Sequence, residues 1–111
     1  MKLTIKREQK EQKGMFGGHK GMTFLLSCRV ELTPEERELI AKYKAEEQPL
    51  TYNRAGEPGL RISSLVRGVR YEVKDVTTLL NNEDVIKDAC KEFKTLLMVM
   101  ASFGGEETIE F

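Results

Sequence analysis

Met22-Thr23-Phe24-Leu25-Leu26-Ser27-Cys28-Arg29-Val30-Glu31-Leu32 alternates with a period of two. Met22, Phe24, Leu26, Cys28, Val30 and Leu32 fall on one side, with Thr23, Leu25, Ser27, Arg29 and Glu31 on the other. Successive side chains of a strand point to opposite faces, so this stretch predicts a strand with one wholly apolar face, in a sheet covered on one side. Immediately after it comes Thr33-Pro34-Glu35-Glu36. A threonine able to accept from the third residue on, a proline at the first helical position and a glutamate placed to reach back form a capping box, so a helix is predicted from Pro34. Leu39, Ile40 and Tyr43 give that helix a narrow apolar stripe, and Gln48-Pro49 is expected to close it.

Upstream, Leu3 and Ile5 alternate with polar residues over 2–6 and predict a short strand. The stretch 7–21 then reads as a polar and glycine-rich mobile segment, with four glycines between Gly14 and Gly21. Met15 and Phe16 at its centre either fold back on the core or anchor a partner.

Downstream, 50–53 and 60–62 are short strand candidates around Ala55-Gly56-Glu57-Pro58-Gly59. Ile62, Leu65 and Val66 have helical spacing, with Ser63 as a cap and Gly68 as a terminator, so one helical turn is the preferred reading and a bulged strand the alternative. Val69, Tyr71 and Val73 predict a strand with one wet face. Asp75 is placed to cap a short turn over 76–80, and the spacing of Val85, Ile86, Ala89, Phe93, Leu96, Leu97 and Met100 predicts a long helix over about 83–103. The uneven alternation of Thr108, Ile109 and Phe111 with acidic residues is consistent with a final strand over 106–111.

These elements predict an α+β fold: a two-layer sandwich whose mixed or antiparallel sheet of four to five strands carries two helices on one face, one capped at Thr33 and one long. A single domain over 1–111 is expected, because the length suits one core and no linker or repeat divides the chain. Apolar residues make up 40% and charged residues 32%, the balance of a chain that folds alone beneath a well-solvated surface.

Basic and acidic residues number 18 each, yet they are unevenly placed. The net charge is +4 over residues 1–20, −2 over 21–58, +2 over 59–75 and −4 over 76–111. Such polarity between the two ends can steer a partner or a second copy. The longest apolar run, from Leu96 to Ala101, falls far short of the roughly 20 residues that cross a bilayer, so no membrane association is expected. The N-terminus has no apolar signal core, and a cytoplasmic location is the expectation.

Cys28 and Cys90 lie far apart in sequence and read as buried free thiols. With His19 the only histidine, no metal site and no cofactor are expected. Nucleophilic catalysis would need a base near a serine or cysteine, and the sole histidine falls in the expected mobile segment; Glu35 with Glu36 and Glu106 with Glu107 have capping or solvation as ordinary roles. No catalytic residue is nominated, and a binding protein is favoured over an enzyme.

The candidate binding residues are Lys13, Phe16, His19 and Lys20 around the glycine-rich loop, and Arg61, Arg67, Arg70 and Lys74 along 61–74. The loop lacks the spacing of either common phosphate-binding motif, and a strand follows it where both require a helix. The leading expectation is a protein-binding or self-assembly module, as a homodimer or with another protein, in which a basic N-terminal arm and an acidic C-terminal strand provide complementary edges. The alternative is nucleic-acid or phosphate-ligand binding through the basic N-terminal segment, the glycine-rich loop and the basic strand 61–74.

Overall fold

Strand β2, Gly21–Glu31, lies at the centre of a three-stranded antiparallel sheet of order β1-β2-β3, flanked by β1 at Lys2–Gln12 and β3 at Val69–Val73. The computed structural model describes residues 1–12, 21–50 and 60–111. Three helices complete the element order: α1 (Pro34–Lys42) and α2 (Ile62–Arg67) before β3, and α3 (Val76–Ser102) after it. The fold is therefore α+β with an antiparallel sheet, as expected, but with three strands among the described residues rather than four to five.

The apolar face of β2 behaves as its alternation predicts from Phe24 onward, whereas Met22 is exposed. Leu26, Cys28 and Val30 are buried, and Phe24 and Leu32 pack against the same core. That core is closed by Ile40 of α1, Ile62 and Leu65 of α2, and the stripe Leu79, Ile86, Cys90, Phe93 and Leu97 of α3. Those α3 positions are spaced by three, four or seven residues and so lie on one side of the helix. Each large side chain buried there contributes roughly 1.5–3 kcal/mol relative to exposure, which is what holds helices and sheet together.

The helix ends follow their capping chemistry. The Thr33 hydroxyl accepts from the Glu36 backbone N–H at 3.2 Å, and Glu36 Oε1 accepts from the Thr33 N–H at 2.9 Å, so the capping box forms as predicted. Helix α1 stops at Lys42, well before Gln48-Pro49, and Lys44 takes a positive φ of 51°. The helical-turn reading of 62–67 holds, but the cap is Arg61 rather than Ser63, and it makes no side-chain cap bond. Gly68 ends α2 at φ 107°, a conformation that side chains with a Cβ seldom adopt, and so turns the chain directly into β3.

Several expectations are corrected. Strand β1 does not stop near Lys6 but runs to Gln12, paired in register from Lys2↔Glu31 to Gln12↔Gly21. The expected segment 7–21 therefore begins in strand and ends at the start of β2, while 13–20 lies outside the described residues. The short strand at 60–62 reduces to an isolated bridge, Pro49↔Arg61, because Ile62 already opens α2, and 51–59 lies outside the described residues. The expected turn and long helix are one continuous helix. Asp75 caps it by accepting from the Thr78 N–H at 2.7 Å, and Asn81-Asn82 does not interrupt it. Residues 106–111 form no strand and are exposed throughout.

The two edges of the sheet differ in length. Strand β3 pairs with β2 only from Phe24↔Val73 to Cys28↔Val69, so the β1–β2 hairpin outruns it at both ends. The molecule is correspondingly long, with principal extents of 67 × 32 × 22 Å and a radius of gyration of 18.2 Å, against about 13 Å for a compact domain of this length.

Candidate functional site

The side chains of β1, β2 and β3 that point away from the core form rows across the sheet, set by the register. Lys6, Ser27 and Arg70 make one row, and Thr4 with Arg29 the next toward the strand end. Arg67, the last residue of α2, joins them where the chain turns at Gly68. Thr4, Lys6, Ser27, Arg29, Arg67 and Arg70 together line a groove of about 340 Å³. Among the described residues its lining contains four cations, two hydroxyls and no carboxylate.

Two of these cations are answered from just outside the groove. Lys6 Nζ lies 2.8 Å from Glu8 Oε1, and Arg29 Nη2 lies 3.1 Å from Glu31 Oε1. The hydrogen bond and charge of Lys6, with a further contribution from Arg70, hold the Glu8 carboxyl below its ordinary pKa. Among the described residues, Arg67 and Arg70 have no hydrogen-bonded or ion-paired partner. One row beyond, Glu8, Leu25 and Glu72 cross the sheet together and place two carboxylates beside the basic row.

On the helix side, Glu83 of α3 is buried, and its Oε1 accepts from Arg7 Nε of β1 at 2.7 Å, with Nη2 closing on the same oxygen. Lys87 Nζ stands 3.9 Å from the other carboxylate oxygen. This pair ties the polar half of β1 to the long helix. Cys28 and Cys90 are free and buried, as expected. Burial pushes both thiols above the ordinary cysteine pKa; the Glu83 charge adds to the effect at Cys28, with Arg7 opposing. A thiol held protonated is a poor nucleophile, so neither cysteine is placed for covalent chemistry.

A third feature lies at the far end of α3. Met98 and Phe103 are 65% and 61% exposed, Val99 is exposed beside them, and Ile109 and Phe111 stand in water on the extended segment that follows. Phe103 touches only part of the surface, its ring centroid 5.2 Å from that of Tyr43.

The candidate residues are thus divided. Arg67 and Arg70 meet in the groove, whereas Arg61 is engaged elsewhere by Glu47 at 2.9 Å, and Lys74 is exposed at the end of β3, outside the lining. Lys13, Phe16, His19 and Lys20 lie outside the described residues. Thr4, Ser27 and Arg29 escaped the sequence reading. Arg29 looked like one polar position on an amphipathic strand, and only the cross-strand register puts it beside Thr4 and within reach of Lys6. Among the described residues no helix is long and apolar enough to cross a membrane. Comparison with known proteins found no matching family model, no matching curated protein and no matching solved structure.

Proposed function

We propose that this protein is a non-catalytic self-assembly module in which residues 106–111 of one copy pair along the outer edge of β1 in a second copy. The observation that carries the reading is the concentration of exposed apolar side chains at 98–111. Soluble monomers do not normally hold Met98, Val99, Phe103, Ile109 and Phe111 together in water within so short a stretch. Segment 106–111 mixes acidic residues with Thr108, Ile109 and Phe111 in an uneven alternation and has no strand partner, and an uncovered edge strand is a ready template for such a segment.

Length and charge favour β1 over β3 as the template. Six extended residues span about 20 Å, more than the roughly 17 Å of a five-residue strand and well within an eleven-residue one. Strand β1 carries Lys2, Lys6, Arg7 and Lys10 against Glu8 and Glu11, while 106–111 carries three glutamates and no cation. The lysines that guard a bare edge against indiscriminate pairing then become the complement of an acidic strand. Two free, buried thiols fit a reducing compartment such as the cytoplasm.

Native mass spectrometry of the full chain tests the proposal. The wild type is expected at twice its 12.7 kDa chain mass, and the Ile109→Lys, Phe111→Lys double variant at the single mass with unchanged circular dichroism. A wild type that stays monomeric up to about 100 μM, a concentration at which even a weak Kd of about 10 μM gives mostly dimer, contradicts it.

A further inference from the structure

We infer that the groove between β1, β2 and the end of α2 is a binding site for the phosphoryl group of a small phosphorylated molecule, lined by Lys6, Arg29, Arg67 and Arg70 with the hydroxyls of Thr4 and Ser27. Four cations converge on one groove from three strands and a helix, with no carboxylate among the described lining residues. Like charges brought this close repel one another unless an anion lies between them, and a guanidinium fork matches phosphate oxygens in pairs. Lys6 and Arg29 already have Glu8 and Glu31 as partners, so the charge left for a ligand is that of Arg67 and Arg70. Both belong to the short span 67–70, where Gly68 turns the chain and lets the two guanidinium groups approach one groove. Thr4 and Ser27 add hydroxyl donors of the kind phosphate sites use alongside arginine.

Size and surroundings select the ligand class. About 340 Å³ is the lower end of the range that holds small molecules. Among the described residues the lining has no aromatic side chain on which nucleic-acid bases would stack. Along the strands the basic row ends at Glu8 and Glu72, which would repel a polyanion continuing toward Lys10 and Lys74. A compact anion with one or two phosphoryl groups fits inside that boundary, and an extended phosphate backbone does not.

The site lies on the opposite side of the sheet from the core and uses no residue of 98–111, but it shares Thr4 and Lys6 with the strand proposed to receive 106–111, so separate variants test the two claims. Isothermal titration calorimetry on the full chain, with inorganic pyrophosphate as probe and a twelve-nucleotide single-stranded DNA as comparison, tests it. Saturable binding of one pyrophosphate per chain is expected. Arg67→Gln and Arg70→Gln, both at exposed positions, should each weaken it by about tenfold at unchanged melting temperature, while Lys74→Gln leaves it intact. The Ile109→Lys, Phe111→Lys variant should bind pyrophosphate like the wild type even if its mass changes. Absence of saturable heat up to about 1 mM pyrophosphate, the weak-binding limit near 4 kcal/mol, overturns the inference. So does full affinity in the Arg67→Gln, Arg70→Gln double variant. Tighter binding of the oligonucleotide, weakened as much by Lys74→Gln as by Arg70→Gln, would replace it with a nucleic-acid surface.

Discussion

Replacing Arg7 by Met keeps an unbranched stem in place but leaves the buried Glu83 carboxylate without its guanidinium. Removing one partner of a fully buried pair typically costs about 3–5 kcal/mol, because the remaining charge is stranded in low dielectric. Here the Glu83 side chain is 3% exposed but Arg7 is 55% exposed, so water reaches the vacated position, and Lys87 remains 3.9 Å from the second oxygen. Both features lower the cost, and the expected loss is about 2 kcal/mol. At roughly 4 °C per kcal/mol for a domain of this size, the melting temperature should fall by about 8 °C. With a urea slope of about 1.5 kcal/mol per M, the denaturation midpoint should fall by about 1.3 M. Chemical denaturation followed by circular dichroism measures this directly. The double variant Arg7→Met, Glu83→Met removes both charges and should recover most of the loss, since replacing both partners of a buried polar pair by apolar groups of similar shape is often near neutral. An Arg7→Met protein within about 0.5 kcal/mol of wild type, the range of an ordinary surface change, would refute the view that this pair anchors the hairpin to α3. Equal cost with and without Glu83 would refute it as well.

Phe93→Ala empties the centre of the core at a fully buried position, and thermal unfolding should show a loss of about 3–5 kcal/mol. Thr33→Ala removes the hydroxyl that caps α1 and should cost about 1 kcal/mol in the same assay, whereas Thr33→Asp, which keeps an acceptor, should not. The Asp75 carboxyl is held below the ordinary aspartate value by the backbone N–H of Thr78, with the Thr78 hydroxyl adding to it. A carboxyl with a depressed folded-state pKa adds stability that is fully present above the unfolded value of about 4 and fades as the pH drops through the lower folded value. Melting temperature should therefore decline from pH 6 to pH 3, and less steeply in Asp75→Asn. Because burial raises both thiol pKa values, iodoacetamide at pH 8 should leave Cys28 and Cys90 of the native protein unmodified and alkylate both in denaturant, as read by mass.

Where local patterning and burial agree, the chain declares its structure. β2 alternates because one face is core, α1 begins at a capping box, and Gly68 ends α2 because of its conformational freedom. The polar half of β1 was hidden because strand 7–12 buries no apolar face of its own. It is held by backbone pairing to β2 and by Arg7 reaching Glu83, a contact 76 residues away in sequence. Asn81-Asn82 suggested a helix boundary, yet Leu79, Glu83 and Ile86 on either side face inward, and packing along that stripe outweighs two weak helix formers. At the other end, alternation over 106–111 lacked the partner that a strand requires. The groove was half legible: Arg67 and Arg70 stand out as a basic cluster, whereas Thr4, Lys6, Ser27 and Arg29 join them only through the β1–β2–β3 register.

Self-assembly through residues 106–111 is tested most directly by backbone hydrogen exchange at two protein concentrations, above and below the association midpoint. Pairing predicts that the amides of 107–111 and the outward amides of β1 slow together in the concentrated sample and exchange freely in the dilute one. Exchange of 107–111 at free-chain rates in a sample that native mass spectrometry shows to be dimeric would contradict the claim, because the dimer would then be held by some other surface.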